Sequence, residues 1–290
     1  MKKLLILSGK GGTGKTTTAA AFIRFAAARA YADCDVDAPN LHLVSPISGE
    51  PERFDYLGSQ KASIDSRKCI GCGKCAEACR FDAISRTGNI LSVDEFSCEG
   101  CGVCAELCPE GAVSLLDDVA GEVTLYRSPA VFATAELKMG RGNSGKLVSE
   151  VKLALANAAR DENLAIIDGS PGIGCPVIAS MGGVDLVLIV AEPSLSGRSD
   201  LERILKTAEI FETKAAVCVN KYDTSPENTE KIYQFCAGRG IPFVGRIPYD
   251  KQASAAINAG KSLADIDCAA SRALHEVFER TMDLLGVEAS

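Results

Sequence analysis

Eight of the 13 cysteines stand in two short runs that share one spacing. Each run reads C-x2-C-x2-C-x3-C, as "CIGCGKCAEACR" at 69–80 and "CEGCGVCAELCP" at 98–109. Three thiolates on a tight, glycine-containing loop can bind three irons of one [4Fe–4S] cubane. The fourth cysteine begins a helical turn that points away, so it can bind a second cubane. The spacing therefore predicts one-electron chemistry at a pair of iron–sulfur clusters.

This duplicated spacing resembles that of the bacterial ferredoxins that carry two clusters. Zinc is the alternative, but one zinc ion takes four ligands and has no use for a triple-then-one spacing that is repeated. Arg80 stands where the first run would usually have proline, and it removes no ligand. We assign the thiolates in two sets of four. The first cluster takes Cys69, Cys72, Cys75 and Cys108, and the second takes Cys98, Cys101, Cys104 and Cys79.

A phosphate-binding motif opens the chain, where "GKGGTGKT" at 9–16 fits G-x-x-x-x-G-K-[ST]. It lies between "KKLLILS", a predicted buried strand, and "TTTAAAFIRFAAAR", a predicted helix. The glycines let backbone N–H groups approach phosphate oxygens, Lys15 reaches the β- and γ-phosphates, and the Thr16 hydroxyl can hold Mg²⁺. The predicted nucleotide-binding residues here are Gly9, Lys10, Gly11, Gly12, Thr13, Gly14, Lys15, Thr16 and Thr17.

The additional lysine in this loop, Lys10, resembles the signature residue of the MinD/ParA family of P-loop ATPases. The resemblance implies that Lys10 reaches across a nucleotide-sandwich dimer, as an arginine finger does in other enzymes. It also implies that Asp37 of "DCDVDAPN" positions the attacking water, while Asp35 helps to hold hydrated Mg²⁺. Asp168, at the end of the strand in "LAIIDGSPGIG", is the Walker B-like acid that would share the Mg²⁺. The expected catalytic residues are Lys10, Lys15 and Asp37.

The tetrapeptide "NKYD" at 220–223 leaves the base of the nucleotide open. It fits the N-K-x-D pattern that reads guanine, whereas the resemblance to ATPases implies that Asn220 contacts adenine. We expect ATP, with GTP as the alternative. The expected cofactors are ATP or ADP, Mg²⁺ and two [4Fe–4S] clusters.

Strands and helices alternate outside the cysteine runs, which predicts an α/β fold with a doubly wound, mostly parallel sheet. The resemblance implies the P-loop NTPase fold of MinD and of the nitrogenase iron protein. We bound an inserted α+β ferredoxin-like domain at 62–118, which leaves 1–61 and 119–290 as the ATPase domain. The matching pieces "CRFDAI" and "CPEGAV" indicate that the insert is internally duplicated.

Charge and hydropathy limit the classes of partner that we expect the protein to bind. The net charge is −7, and the 62–118 insert carries five basic against ten acidic residues, a net −5. This balance disfavours a nucleic-acid surface and suits a basic redox partner, with an ordinary solvated surface as the alternative. No window has 18 apolar residues, and the helix "SRALHEVFERTMDLLG" is too acidic for a strong membrane anchor. We expect a reduced, cytoplasmic setting, in which 13 cysteines would not form a disulfide framework.

Three functions remain open. The first is a homodimeric ATPase, or a heterodimer with a related ATPase, whose nucleotide state controls electron transfer to an unknown redox partner. The second is a regulatory or scaffolding ATPase whose clusters sense redox state or dock partners, and the third is a cluster assembly or carrier ATPase. Cys175 resembles a cluster ligand of the nitrogenase iron protein, but Asn143 stands where the other cysteine is wanted. We therefore expect Cys175 to be a structural or nucleotide-sensing switch residue.

Overall fold

The computed structural model describes residues 1–45 and 47–287 of the chain. The strands are β1 (Lys2–Leu7), β2 (Ala30–Asp33), β3 (Glu52–Leu57), β4 (Lys61–Ile64), β5 (Ile84–Thr87), β6 (Ile90–Val93), β7 (Val113–Leu116), β8 (Val119–Tyr126), β9 (Val131–Leu137), β10 (Leu164–Asp168), β11 (Leu186–Ala191), β12 (Lys214–Asn220) and β13 (Phe243–Ile247). The α-helices are α1 (Lys15–Phe25), α2 (Lys74–Glu77), α3 (Val103–Glu106), α4 (Ser144–Ala158), α5 (Cys175–Met181), α6 (Leu195–Ile210), α7 (Pro226–Gly238), α8 (Lys251–Asn258) and α9 (Ala269–Leu285).

A nine-stranded sheet has the order β13-β12-β11-β1-β10-β2-β9-β8-β3. The seven strands from β13 to β9 pair in parallel, with Leu4 of β1 opposite Ile166 of β10 and Leu186 of β11. The central strands are apolar runs that are buried on both faces, as parallel strands covered by helices must be. The prediction of an α/β fold with a mostly parallel sheet is confirmed.

The chain divides into two compact units. The first unit contains Met1–Arg53, Val123–Glu136 and the described chain from Ser144 onward. Its core joins the sheet to α1 and α9, and Phe22 packs edge-on against Phe278 with ring centroids 5.1 Å apart. Within the described residues, no helix is long and apolar enough to cross a membrane.

The second unit contains Phe54–Glu122 and Leu137–Asn143, so the predicted 62–118 insert lies within it. It holds two antiparallel pairs, β4 with β7 and β5 with β6, and the one-turn helices α2 and α3. Each cysteine run folds in the same way, because a left-handed glycine precedes each helix: Gly73 has φ 84° and Gly102 has φ 80°. Only glycine adopts this backbone without strain. That this unit is a ferredoxin-like domain stays a prediction.

Candidate functional site

The phosphate-binding loop joins β1 to α1, at the end of the sheet where ligands of doubly wound folds bind. Gly12 has φ 78° and Gly14, which precedes α1, has φ 95°. A Cβ atom at Gly14 would lie 2.3 Å from the side-chain amide nitrogen of Asn220. The loop therefore depends on glycine for its backbone shape and for its close approach to β12.

A cavity of about 460 Å³ opens over this loop, a size suited to a small-molecule ligand. Gly9 and Thr13 instead line a smaller cavity beside Glu192 and Asp200. The structure thus gathers most of the predicted nucleotide-binding residues around one space. Those that line it are Lys10, Gly11, Gly12, Gly14, Lys15, Thr16, Thr17, Asp35 and Asn220.

A buried ion pair stands beneath the loop. Lys15 Nζ lies 2.7 Å from Asp168 Oδ1 and 3.3 Å from the Thr16 hydroxyl oxygen. The side chain of Lys15 is 6% exposed and that of Asp168 is fully buried. The other carboxylate oxygen of Asp168 has no hydrogen-bond partner among the described residues. A buried, unpaired acceptor of this kind suits a ligand such as hydrated Mg²⁺, together with the Thr16 hydroxyl.

Asp33, at the end of β2, is a residue that sequence reasoning missed. Its carboxylate accepts hydrogen bonds from the backbone N–H groups of Asp35, Asn40 and Leu41, at 2.9 Å each. Burial, followed by the nearby carboxylate of Asp168, raises the pKa of Asp33 well above its usual range. Asp33 therefore shapes the loop that carries the other acids. The pattern D-x-D-x-D contains Asp33, but the pattern does not separate its role from those of the other two aspartates.

The two predicted acids of this loop occupy different surroundings. Asp35 is 9% exposed and lines the cavity, and burial raises the pKa of its carboxyl group. Asp37 is exposed and is not among the residues that line the cavity. Asp35 is therefore better placed than Asp37 to act on a bound phosphate.

Lys10, the signature lysine, forms an ion pair with Glu192, the residue that follows β11. Both side chains are partly exposed, at 41% and 31%. An ion pair of this exposure contributes little to stability and can be exchanged for another partner. The side chain of Lys10 therefore remains available to another anionic partner.

The "NKYD" segment stabilises the phosphate loop. The Asn220 side chain donates to the Thr13 carbonyl at 2.7 Å, and Lys221 Nζ donates to the Gly12 carbonyl at 3.1 Å. Asp223 accepts a hydrogen bond from the backbone N–H of Tyr249 at 2.7 Å. Because Asp223 does not line the cavity, it is not in position to read guanine there.

Segment 247–250 was also missed. Pro248 and Tyr249 line the same cavity, together with residues of α8. The Asp250 carboxylate caps α8 by accepting from the Gln252 N–H at 2.9 Å. Sequence reasoning found no signal here because a proline–aromatic pair after a strand is common in ordinary loops.

The eight cysteines of the two runs separate into two groups in space. One small cavity is lined by Cys69, Cys72, Cys75 and Cys108, and another by Cys79, Cys98, Cys101 and Cys104. The groups coincide with the two predicted sets, including the exchange of the fourth cysteine between runs. Arg80, the one irregularity, is exposed.

The thiol groups also receive backbone hydrogen bonds. The Ala62 N–H donates to Cys98 Sγ at 3.4 Å, and the Ala112 N–H donates to Cys108 Sγ at 3.3 Å. Among the described residues, no three His, Cys, Asp or Glu side chains converge as ligands of a single metal ion. Four thiols in each group is the number of ligands that a [4Fe–4S] cluster takes.

The remaining cysteines lie in the first unit. Cys175 is exposed at the start of α5, and the other four are buried. Burial raises the pKa of the Cys236 thiol to about 11, as expected of a structural core residue. The buried four are Cys34, Cys218, Cys236 and Cys268.

Two relatives match nearly the whole chain. The chain is 32% identical over 293 residues to the uncharacterized protein MJ0578 of Methanocaldococcus jannaschii, covering 98% of this chain and 97% of the relative. It is 21% identical over 292 residues to the cytosolic Fe-S cluster assembly factor Nubp1 homolog of Drosophila melanogaster, covering 97% of this chain and 81% of that protein.

The fold resembles that of septum site-determining protein MinD complexed with Mg-ADP from Pyrococcus horikoshii. The TM-score is 0.56 at 17% identity, covering 98% of this chain and 97% of the other. Residues 4–263 match the CobQ/CobB/MinD/ParA nucleotide binding domain. The chain therefore belongs to this family and is a MinD/ParA-like P-loop ATPase.

Proposed function

We propose that this ATPase is an iron–sulfur protein in which the nucleotide state controls electron transfer through two [4Fe–4S] clusters. The observation that carries the proposal is the grouping of eight cysteines around two separate cavities, four around each. Two C-x2-C-x2-C-x3-C runs with an exchanged fourth ligand are typical of two-cluster proteins. The clusters would supply one-electron redox chemistry.

The residues of the second unit suit these groups. Each set provides four thiolates, and in each set one sulfur accepts a backbone N–H. Hydrogen bonds to cluster sulfurs help to set the reduction potential. Cys72 and Cys101 are exposed, which would leave both groups close to a redox partner at the surface.

On the nucleotide side, we assign roles by position. Lys15 and the loop N–H groups would hold the phosphates, and Thr16 with Asp168 would hold Mg²⁺. Asp35 lines the cavity, so we give it the water-orienting role in place of Asp37. Lys10 would leave Glu192 and act across a dimer of two such chains.

Two other functions have support. The similarity to a protein named as a cytosolic Fe-S cluster assembly factor favours an assembly or carrier role. The similarity to MinD in fold favours a regulatory or scaffolding role in which the clusters sense redox state or dock a partner. A complete set of four thiolates for each cluster favours resident clusters over cargo.

Single substitutions distinguish the three candidate functions. Lys15→Ala should abolish ATP turnover and leave the iron content unchanged, and undiminished turnover would contradict the site assignment. Cys72→Ser should disturb electron transfer with the ATPase intact. Loss of partner binding alone in this variant would favour the regulatory function, and delivery of iron and sulfide to an apo-acceptor would favour assembly.

A further inference from the structure

The segment Leu137–Asn143, here called the connecting segment, belongs to the second unit, and the chain continues directly from it into α4 of the first unit. It is a covalent link between the cysteine-rich unit and α4. Hydrogen bonds and ion pairs fix the chain on both sides of this link. Their positions indicate what the link can transmit.

Arg141 fixes the connecting segment within the second unit. Its guanidinium lies 2.7 Å from Glu95 Oε2 and 2.9 Å from Asp118 Oδ2, and its side chain is only 10% exposed. The same group lies over the Phe96 ring, 5.2 Å from the centroid. A Cβ atom on Gly140 would lie 2.9 Å from that ring, so glycine allows the close approach. A charge paired twice and largely removed from water is costly to displace.

Asn143 fixes the end of the segment. It adopts a left-handed backbone with φ 68°, a conformation that asparagine tolerates better than most residues. Its side-chain amide donates to the Ser59 hydroxyl at 2.6 Å, and its carbonyl accepts from the Tyr56 hydroxyl at 3.1 Å. Asn143 is therefore a position of defined geometry and not only the residue that replaces an expected cysteine.

The attachments made by Arg141 and Asn143 are both connected, through neighbouring residues, to the loop that carries Cys98. Arg141 holds the turn of residues 94–97, and the carbonyl of Asp94 in this turn accepts the Cys98 N–H at 3.0 Å. Asn143 holds Ser59, two residues before Lys61, whose Nζ donates to the Cys98 carbonyl at 2.5 Å. Beside Lys61, the N–H of residue 62 donates to the Cys98 sulfur at 3.4 Å.

On the other side of the link, α4 is fixed to α5. A Cβ atom on Gly145 would lie 3.2 Å from the Cys175 carbonyl oxygen and 3.3 Å from its Cβ, so the two helix starts are in close contact. Lys152 Nζ donates to three carbonyls at the end of α5, at 3.0, 2.7 and 2.6 Å. These carbonyls belong to Ala179, Ser180 and Gly182.

Only a short stretch of chain lies between the connecting segment and the part of α4 that contacts α5. Asn143 and Gly145 are two residues apart, and two residues span at most about 7 Å when fully extended. The segment before α5 follows Asp168 directly and touches the nucleotide loop, because the Gly172 N–H donates to the Ser8 carbonyl at 3.0 Å. A shift of α5 that carries α4 with it therefore displaces Ser144, the residue that directly follows Asn143.

We propose that the connecting segment transmits the position of α5 to the Cys98 loop, so that nucleotide acts on the second cysteine set and not on the first. The consequence at a cluster rests on the proposed function, whereas the mechanical link does not. The contact that we expect nucleotide to alter is the hydrogen bond from the Ala62 N–H to the Cys98 sulfur. Lengthening this hydrogen bond would lower the reduction potential of that cluster, since an N–H donor stabilises the more negative, reduced state.

Hydrogen exchange of the holoprotein with Mg-ADP or a non-hydrolysable Mg-ATP analogue tests the link. We expect exchange to differ between the two nucleotides at 169–182, 137–146 and 94–100. In Arg141→Met, which leaves only the Asn143 attachment in place, the difference should persist at 169–182 and fall by about half at 94–100. Arg127→Met, which removes an exposed pair with Glu52, is the matched control and should behave as wild type. A difference at 94–100 that is as large in Arg141→Met as in wild type would overturn the proposal.

Asn143→Gly serves the same purpose if Arg141→Met does not retain its iron, because glycine keeps the left-handed backbone and loses the bond to Ser59. Redox titration of the same samples separates this inference from the proposed function. Suppose that exchange at 94–100 differs between the nucleotides while the reduction potentials of both clusters are the same with either nucleotide. This result would support the link and contradict nucleotide control of electron transfer. A nucleotide-dependent potential without any exchange difference at 94–100, or a shift confined to the first cluster, would overturn the link alone.

Discussion

Alanine at Gly100 should remove the cluster that we propose for the second cysteine set. Gly100 has φ 69°, and an alanine there costs about 1–2 kcal/mol in backbone energy. Its Cβ would also lie 2.1 Å from the Gln60 carbonyl oxygen, whereas ordinary contacts begin at 3.4 Å. The loop must therefore move by about 1 Å. Functional side chains must be held to within about 0.5 Å, so we expect the thiolates of this loop to lose their cluster.

The matched control is Gly88→Ala in the same unit. Gly88 has φ 63°, but a Cβ there would meet nothing within 4 Å, so only the backbone cost of about 1–2 kcal/mol remains. Iron and acid-labile sulfide per chain are the assay. We expect about half of the wild-type iron in Gly100→Ala and the full amount in Gly88→Ala. Full iron in Gly100→Ala, or equal losses in both variants, would refute the reasoning.

Three further predictions concern the nucleotide site and the thiols. Lys15→Ala should weaken ATP binding about 10- to 100-fold in calorimetry, as loss of a charge-assisted hydrogen bond of about 1.5–3 kcal/mol implies, and unchanged affinity would contradict this. Asp35→Asn should slow phosphate release about 100- to 10,000-fold, while Asp37→Asn should stay near wild type. The reverse order would indicate that Asp37 positions the attacking water. In the native holoprotein, Cys175 should be the one thiol that reacts quickly with an aromatic disulfide reagent, and removal of iron should add the eight cysteines of the two runs. Several fast thiols before iron removal would contradict two occupied clusters.

The parallel sheet and the phosphate loop were predictable because their signals are local. Apolar runs buried on both faces predict central strands, and glycines next to Lys15 predict a turn that only glycine forms easily. The grouping of the cysteines was also predictable from the sequence, because each set consists of three cysteines from one short loop and the fourth cysteine of the other run. Cys79 and Cys108 are the crossing residues, and the structure places each with the opposite run.

What sequence reasoning missed depends on contacts between distant residues. Asp33 acts on backbone groups up to eight residues away, and nothing in its own type distinguishes it from Asp35 and Asp37. The attachment of Arg141 to Glu95 and Asp118 joins parts of the chain that are far apart in sequence. Such pairs follow from the packed fold, so a single sequence without its structure does not reveal them.

The most direct test of the account is an anaerobic redox titration followed by EPR, with and without Mg-ATP, on wild type and Lys15→Ala. We expect nucleotide to shift the potential or the reduction rate of a cluster in wild type. At a Mg-ATP concentration that saturates wild type but not Lys15→Ala, we expect no such shift in the variant, whose clusters should be intact. Identical potentials and rates with and without nucleotide in the fully loaded wild-type protein would contradict the claim that ATP controls electron transfer.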